Sequence, residues 1–347
     1  MDNLMQEFPL RISEIIDHAA RYHTYRSVIS RNVEGSITET NWGKIRTQAK
    51  RLAQALIKLG IKKGEVIGVM AWNTSRHLEV LYGIPGCGAV NHTLNPRLFS
   101  EQLIYIINHA EDKILMVDLD LIPIIEKIIA RCPKVEKIIA MTDASNMPQS
   151  SITDLLCYEN LLIAENGEMD WVRGSEFDAC GICYTSGTTG NPKGVVYTHR
   201  SNCLHALTSA SPDMLSLSSR ETIMPVVPLF HANGWSIGYT APLTGAAMIM
   251  PGNNMNPEAL FEMLELGATV TAAVPTVWLL LLSYLEKEKV APSTLKRVVI
   301  GGSACPRAVI EKFQNNYDIK VLHAWGMTEM SPLGTICSFK PEVLELS

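Results

Sequence analysis

The chain has 347 residues, enough for one large core or two subdomains, and apolar side chains make up 47% of it. Its apolar runs nevertheless stay well short of the ~18 residues a membrane-crossing helix needs, the densest being Val277 to Leu282. A net charge of -5 with no Lys/Arg-rich stripe excludes an electrostatic nucleic-acid binder, so anionic ligands must be held locally.

The N-terminus carries acids from Asp2 onward in place of a basic start and an apolar block, so it does not read as a secretory signal, and a cytosolic (cytoplasmic) chain is expected. Eight cysteines without a framework fit reduced thiols. Cys180 and Cys183 form the one suggestive pair. They fall on a buried strand with no second Cys/His pair nearby, and packing is the reading adopted for them.

In chain order, Trp42, Ile45, Ala49, Leu52, Ala53, Leu56 and Leu59 recur at helical spacing, with Thr40 or Asn41 as N-cap and Gly60 as terminator. Strands are predicted at 65–70, 89–93, 113–118 and 135–141, alternating with helices at 75–82, 100–109 and 121–130. Such alternation implies a mostly parallel sheet with helices on its faces. From Met141 to Glu176 the pattern weakens into polar turns, which sets an expected boundary between α/β subdomains 1–175 and 176–347. Strands at 181–185 and 194–198, a helix at 200–210 and further α/β units up to His323 follow. The last ten residues trail off without a packed element.

Between the strands at 181–185 and 194–198 runs Tyr184-Thr-Ser-Gly-Thr-Thr-Gly-Asn-Pro-Lys-Gly194. Its glycines let backbone N–H groups turn toward an anion. Thr185, Ser186, Thr188 and Thr189 donate hydroxyls, and Lys193 supplies a compact charge. A flexible linker would need neither a fixed lysine nor strands tight against both ends. A Walker loop would need Ser/Thr after the lysine and a helix behind it, whereas Gly194 and a β-branched strand follow here. The segment resembles the signature loop of the adenylate-forming enzymes, which include acyl-CoA synthetases, luciferases and nonribosomal peptide adenylation domains.

Three later segments extend the resemblance. Val226 to Trp235 reads as a buried strand ending at Pro228, then a polar turn. On their own, His231 and Trp235 would be core residues. By resemblance, His231 lies near an acyl carboxylate, Trp235 gates an acyl tunnel and Gly302 shares its entrance. Arg297 to Pro306 reads as a strand, then Gly301-Gly302, then a helix with Pro306 in its first turn, and small residues there leave room for a flat ligand. Ile319 to Glu329 is a strand ending in Trp325, Thr328 and Glu329, which offer a face for adenine, a donor to phosphate and an oxygen ligand for Mg²⁺.

The resemblance covers essentially the whole chain, including residues 95–99 and 108–113, and is closest to medium-chain fatty-acid:CoA ligases. It implies the layered αβαβα fold of their large N-terminal domain, with two mostly parallel sheets. Implied nucleotide contacts are Thr185, Ser186, Gly187, Thr188, Thr189, Gly190, Lys193, Gly301, Gly302, Ser303, Ala304, His323, Ala324, Trp325, Gly326 and Thr328. Lys193, His231, Thr328 and Glu329 are the implied catalytic groups, and Thr185 and Glu329 the Mg²⁺ contacts. ATP and Mg²⁺ are the implied cofactors, with CoA as co-substrate and a fatty acid as substrate. Peripheral membrane contact and a homodimer are left open. The family's ribose-binding aspartate segment, hinge and C-terminal domain with its lysine do not follow Thr335, so a truncated chain with a partly built site is expected. A nonenzymatic acyl- or nucleotide-binding module, and an adenylation domain that loads a carrier protein, are the alternatives.

Overall fold

The computed structural model describes Met5 and residues 7–185 and 190–345. Its strands are β1 (Ser27–Arg31), β2 (Ile37–Asn41), β3 (Val66–Met70), β4 (Val90–Thr93), β5 (Ile114–Val117), β6 (Lys137–Ala140), β7 (Leu156–Cys157), β8 (Ala179–Thr185), β9 (Lys193–Thr198), β10 (Thr222–Pro225), β11 (Ala247–Met250), β12 (Val270–Ala273), β13 (Arg297–Ile300), β14 (Lys320–Gly326) and β15 (Leu333–Ile336). One eight-stranded sheet has the order β15-β14-β13-β12-β10-β11-β1-β2, and a seven-stranded sheet has the order β7-β6-β5-β3-β4-β8-β9. Among the described residues all ladder pairings are parallel except β1 with β2, β8 with β9 and β14 with β15.

Strand side chains alternate between two cores, which makes the layers legible. Met248 and Met250 face a central core while Ile249 between them faces an outer one. In the other sheet Met116 faces the central core, and Leu115 and Val117 face a second outer core. The central core is filled by helices Ile12–Tyr22, Trp42–Lys58, Ser75–Gly86, His199–Ser209 and Ile237–Thr244. Helices Pro257–Leu264, Pro275–Glu288 and Arg307–Tyr317 cover the outer face of the eight-stranded sheet. Helices Ser100–Ala110 and Ile122–Ile128 cover the seven-stranded one. The stack is therefore αβαβα, as expected. Because both faces of each sheet are covered, the inner strands read as near-continuous apolar runs.

Each sheet draws strands from both sides of residue 175. β1 and β2 complete the eight-stranded sheet, and β8 and β9 complete the seven-stranded one. Helix Trp42–Lys58 starts on Asn41, whose side chain accepts from Lys44 N at 3.0 Å. Trp42 is fully buried and its Nε1 donates to Ala246 O at 3.0 Å, which locks that helix to the eight-stranded sheet.

Candidate functional site

The phosphate-type loop is the turn of the β8–β9 hairpin. Thr185 pairs with Lys193 across it, and Lys193 is exposed. Gly190 has φ +84°, the left-handed conformation glycine favours. Ser186, Gly187, Thr188 and Thr189 lie outside the described residues.

The strand expected at Val226 lies upstream, at Thr222–Pro225. Beyond it Asn73, buried, clamps the chain. Its Nδ2 donates to Pro225 O and Val227 O, each at 2.8 Å, and its Oδ1 accepts from Leu229 N at 2.8 Å. Backbone groups leaving the sheet are thereby satisfied by one side chain. Sequence reasoning missed Asn73, because a polar residue just past a strand reads as an ordinary turn.

The chain then makes a left-handed turn. Ala232, Asn233, Gly234, Trp235 and Ser236 have φ of +44°, +44°, +57°, +55° and +62°. Non-glycine residues pay roughly 1–2 kcal/mol each for this conformation, so the surroundings must hold it. Ala232 N donates to Cys183 Sγ at 3.2 Å, and Thr93 Oγ1 and Asn233 Oδ1 are 3.5 Å apart. A Cβ on Gly234 would stand 2.5 Å from Leu229 Cδ2, so glycine is also required there for space. Cys183 is thus a packed acceptor, as its place on a buried strand suggests.

This turn brings Trp235 to a cleft of about 160 Å³ with His231 and Ala232 on one wall. Gly301 and Gly302 follow β13 on another, and Ala324, Trp325, Gly326, Met327 and Thr328 come from β14 and its exit. Pro332 and Leu333 close it. Close approach explains the glycines. A Cβ on Gly301 would be 2.9 Å from Ala324 O and 3.0 Å from Trp235 Cη2, and one on Gly326 would be 2.1 Å from Pro332 O. Trp325 is 55% exposed, leaving an indole face free. The His231 imidazole makes no hydrogen bond among the described residues. It is open to solvent on the cleft side, and desolvation by the protein around it lowers its pKa.

Thr328 and Glu329 sit in a short 3-10 turn, Thr328–Met330. The Thr328 carbonyl accepts from the buried Tyr197 hydroxyl at 2.7 Å, which ties β9 of one sheet to the end of β14 in the other. Tyr197 too was missed, because its strand reads as ordinary filling. Glu329 is exposed, and its charge is one of the causes, after burial, that raise the Tyr197 pKa. The Thr185 hydroxyl and the Glu329 carboxylate are oxygen donors of the kind Mg²⁺ takes beside substrate phosphates and water.

The expected contacts do not all gather. His323 alternates away from Ala324 and lines a separate cavity with Cys337 and Phe339. Ser303 and Ala304 are exposed in the loop before helix Arg307–Tyr317 and are not among the residues lining the cleft. Among the described residues no helix is long and apolar enough to cross a membrane, and no group of three or more His, Cys, Asp or Glu is placed to hold a metal.

A family described as AMP-binding enzyme matches residues 16–345. The chain is 43% identical to a 3-methylmercaptopropionyl-CoA ligase of Ruegeria lacuscaerulensis, over 95% of its own length and 62% of that protein's. It is 43% identical to a medium-chain-fatty-acid–CoA ligase of Ectopseudomonas oleovorans, over 95% of its length and 61% of the other's. A long-chain-fatty-acid–CoA ligase of Thermus thermophilus is 40% identical, over 95% of this chain and 59% of that one. The chain thus spans about three-fifths of the curated relatives it matches. In fold it is similar to a long-chain-fatty-acid-CoA ligase from Archaeoglobus fulgidus, with a TM-score of 0.84 at 24% identity, covering all of this chain and 70% of that one. It also matches the N-terminal domain of a Mycobacterium tuberculosis protein, FACL13, with a TM-score of 0.83 at 22% identity, covering 97% of this chain and 80% of that one.

Proposed function

Because this chain belongs to the AMP-binding enzyme family, we propose that it is the nucleotide- and acyl-binding part of a fatty-acid:CoA ligase that proceeds through an acyl-adenylate. The observation that supports this best is the single cleft gathering His231, Trp235, Gly301, Gly302, Trp325 and Thr328. A wall of aromatic and small residues, a largely exposed indole and the Thr328 hydroxyl at one place suit an acyl group beside a nucleotide.

A carboxylate cannot expel hydroxide in favour of a thiol, so its oxygen first attacks the α-phosphorus of ATP. The new P–O bond forms as the bond to the β-phosphate oxygen breaks, and pyrophosphate leaves. Lys193 and the hydroxyls of Thr185 and Thr328 take up charge developing on the phosphate oxygens. Glu329 and Thr185 would hold Mg²⁺, which supplies further charge neutralisation when bound. His231, whose pKa desolvation lowers, orients the acyl carboxylate. The indole of Trp325 lies against adenine, and Trp235 stands at the mouth of the acyl path. In a second step the thiol of CoA attacks the acyl carbon, loses its proton, and AMP leaves.

The test is pyrophosphate release and thioester formation from octanoate, ATP, Mg²⁺ and CoA. This chain is compared with one extended to the full length of its relatives. The extended chain should form acyl-CoA. The 347-residue chain should fold, release pyrophosphate about 10²- to 10³-fold more slowly and make no detectable thioester. An extended chain that consumes ATP with no dependence on a carboxylic acid would overturn the assignment.

A further inference from the structure

Residues 108–113, which have no part in the reaction above, lie beside the base of the phosphate hairpin. Tyr184 pairs with Gly194, and the next pair toward the turn is Thr185 with Lys193. The Tyr184 ring lies against Gly194, where a Cβ would stand 3.1 Å from Cζ and 3.2 Å from Cε2. Any side chain at 194 would lift the ring away. The Tyr184 hydroxyl is hydrogen-bonded to His109 Nδ1 at 2.6 Å, and the His109 ring stacks on Tyr105 with centroids 5.3 Å apart. His92 flanks the phenol with its ring centroid at 5.0 Å, and its own Nδ1 is 2.9 Å from the Asp112 carboxylate, both residues being fully buried. Gly68 makes room for that carboxylate, since a Cβ there would be 2.7 Å from Asp112 Oδ2.

The hydroxyl is the informative atom. A phenylalanine would fill the same space over Gly194. His109 is exposed and the bond lies at the surface beside a partly buried phenol, so it contributes little to stability. What the bond does fix is the in-plane position of the ring, and with it the strand end at Gly194. Burial raises the Tyr184 pKa to about 12, so the group remains a neutral hydroxyl across the physiological range.

We propose that Tyr184 is a positioning residue for Lys193: its ring against Gly194 and its hydroxyl on His109 hold the strand end from which the lysine reaches a ligand's phosphates. This rests on the assignment of Lys193 to phosphate made above. The probe is inorganic pyrophosphate with Mg²⁺, titrated calorimetrically into the 347-residue chain and its variants. Tyr184→Phe and His109→Leu should each weaken binding about three- to tenfold, with melting temperatures close to wild type. His109→Asn, whose Oδ1 can stand where Nδ1 stood, should restore affinity to within about twofold of wild type. In a Lys193→Ala background Tyr184→Phe should cause no further loss, because its effect acts through the lysine.

Wild-type affinity in Tyr184→Phe and His109→Leu would overturn the proposal. So would failure of His109→Asn to rescue, or an equal loss from Tyr184→Phe with and without Lys193. Those outcomes leave the phosphate reading intact if Lys193→Ala alone weakens binding. If Lys193→Ala binds as wild type does, or the wild-type chain binds no pyrophosphate at millimolar concentration, the phosphate reading fails and takes the proposal with it.

Discussion

Replacing Gly301 with alanine tests how the cleft is built. The new methyl would meet Ala324 O at 2.9 Å and Trp235 Cη2 at 3.0 Å. The carbonyl does not yield easily, because Ala324 is paired to Ile336 of β15, so the Trp235 indole must give way. Restoring ordinary contact of about 3.5 Å requires shifts of roughly half an ångström on each side, and overpacking of that size costs about 1–3 kcal/mol. Gly302→Ala is the control. Its methyl would meet only Val274 Cγ1, at 3.1 Å, but φ is +81°, which costs about 1–2 kcal/mol in the backbone. The two variants should therefore lose similar stability for different reasons, and only Gly301→Ala should displace the indole. Urea unfolding measures the first effect. Fluorine NMR of fluorotryptophan-labelled protein, with Trp235 assigned through Trp235→Phe, measures the second. A Gly301→Ala variant within about 0.5 kcal/mol of wild type, or an equal movement of the Trp235 signal in both variants, would refute the packing account.

Tyr197→Phe removes the donor to Thr328 O and leaves that carbonyl only the long 3.4 Å bond from Ser331 N, which should cost about 0.5–1.5 kcal/mol of stability and weaken Mg·ATP binding as the Thr328 turn loosens. Paired melting and ATP titrations check both. In a full-length enzyme Trp235→Ala should change the profile of rates across short to long fatty acids more than the affinity for ATP, and coincident profiles would remove the gate. His205 accepts from Leu333 N at 2.9 Å through Nε2, and burial lowers its pKa from 6.5 to about 4. The folded state thus binds fewer protons than the unfolded state between those values, so this contribution is complete above pH 6.5 and is lost as pH falls to about 4. Wild type should lose about 3 kcal/mol more than His205→Gln over that window, read from urea midpoints at successive pH values.

The layered fold was legible because strands covered on both faces announce themselves as apolar runs bounded by turn residues, as at Val66–Met70 and Ile114–Val117. Period and capping chemistry located helix Trp42–Lys58, and of the two expected caps, Thr40 and Asn41, it is Asn41 that caps it. Other elements were not visible. Helix Ile12–Tyr22 and the β1–β2 hairpin precede the first predicted element; β2 is largely exposed and lacks apolar alternation. β7 spans two residues, too few for any periodic signal, and helix Tyr158–Ile163 has only six, less than two turns. β15 also went unread, in a stretch of short polar and apolar steps whose structure depends on pairing with β14. Pro306 turns out to cap helix Arg307–Tyr317 from outside its first turn. At the site, motif residues were legible by type, whereas facing was not. His323 and Ala324 are neighbours in sequence but open on different cavities, because a strand turns successive side chains to opposite faces. The supports Asn73 and Tyr197 act through backbone carbonyls far along the chain, which no local pattern encodes.

The pairing of β1 with β11 also sets an order of assembly during synthesis. Val28 lies beside Met248, so a strand made near the start waits for one made far later. At 5–20 residues per second, that wait on the ribosome is roughly 10–40 s. Strands β3 to β6, by contrast, have one another as partners once Ala140 has emerged. The seven-stranded sheet can therefore begin to form first, with Ile67, Val69 and Met116 facing a layer whose far wall does not yet exist. Until the segment around Met248 arrives, the nascent chain carries an apolar face and the open edge of a hairpin, surfaces of the kind that chaperones shield.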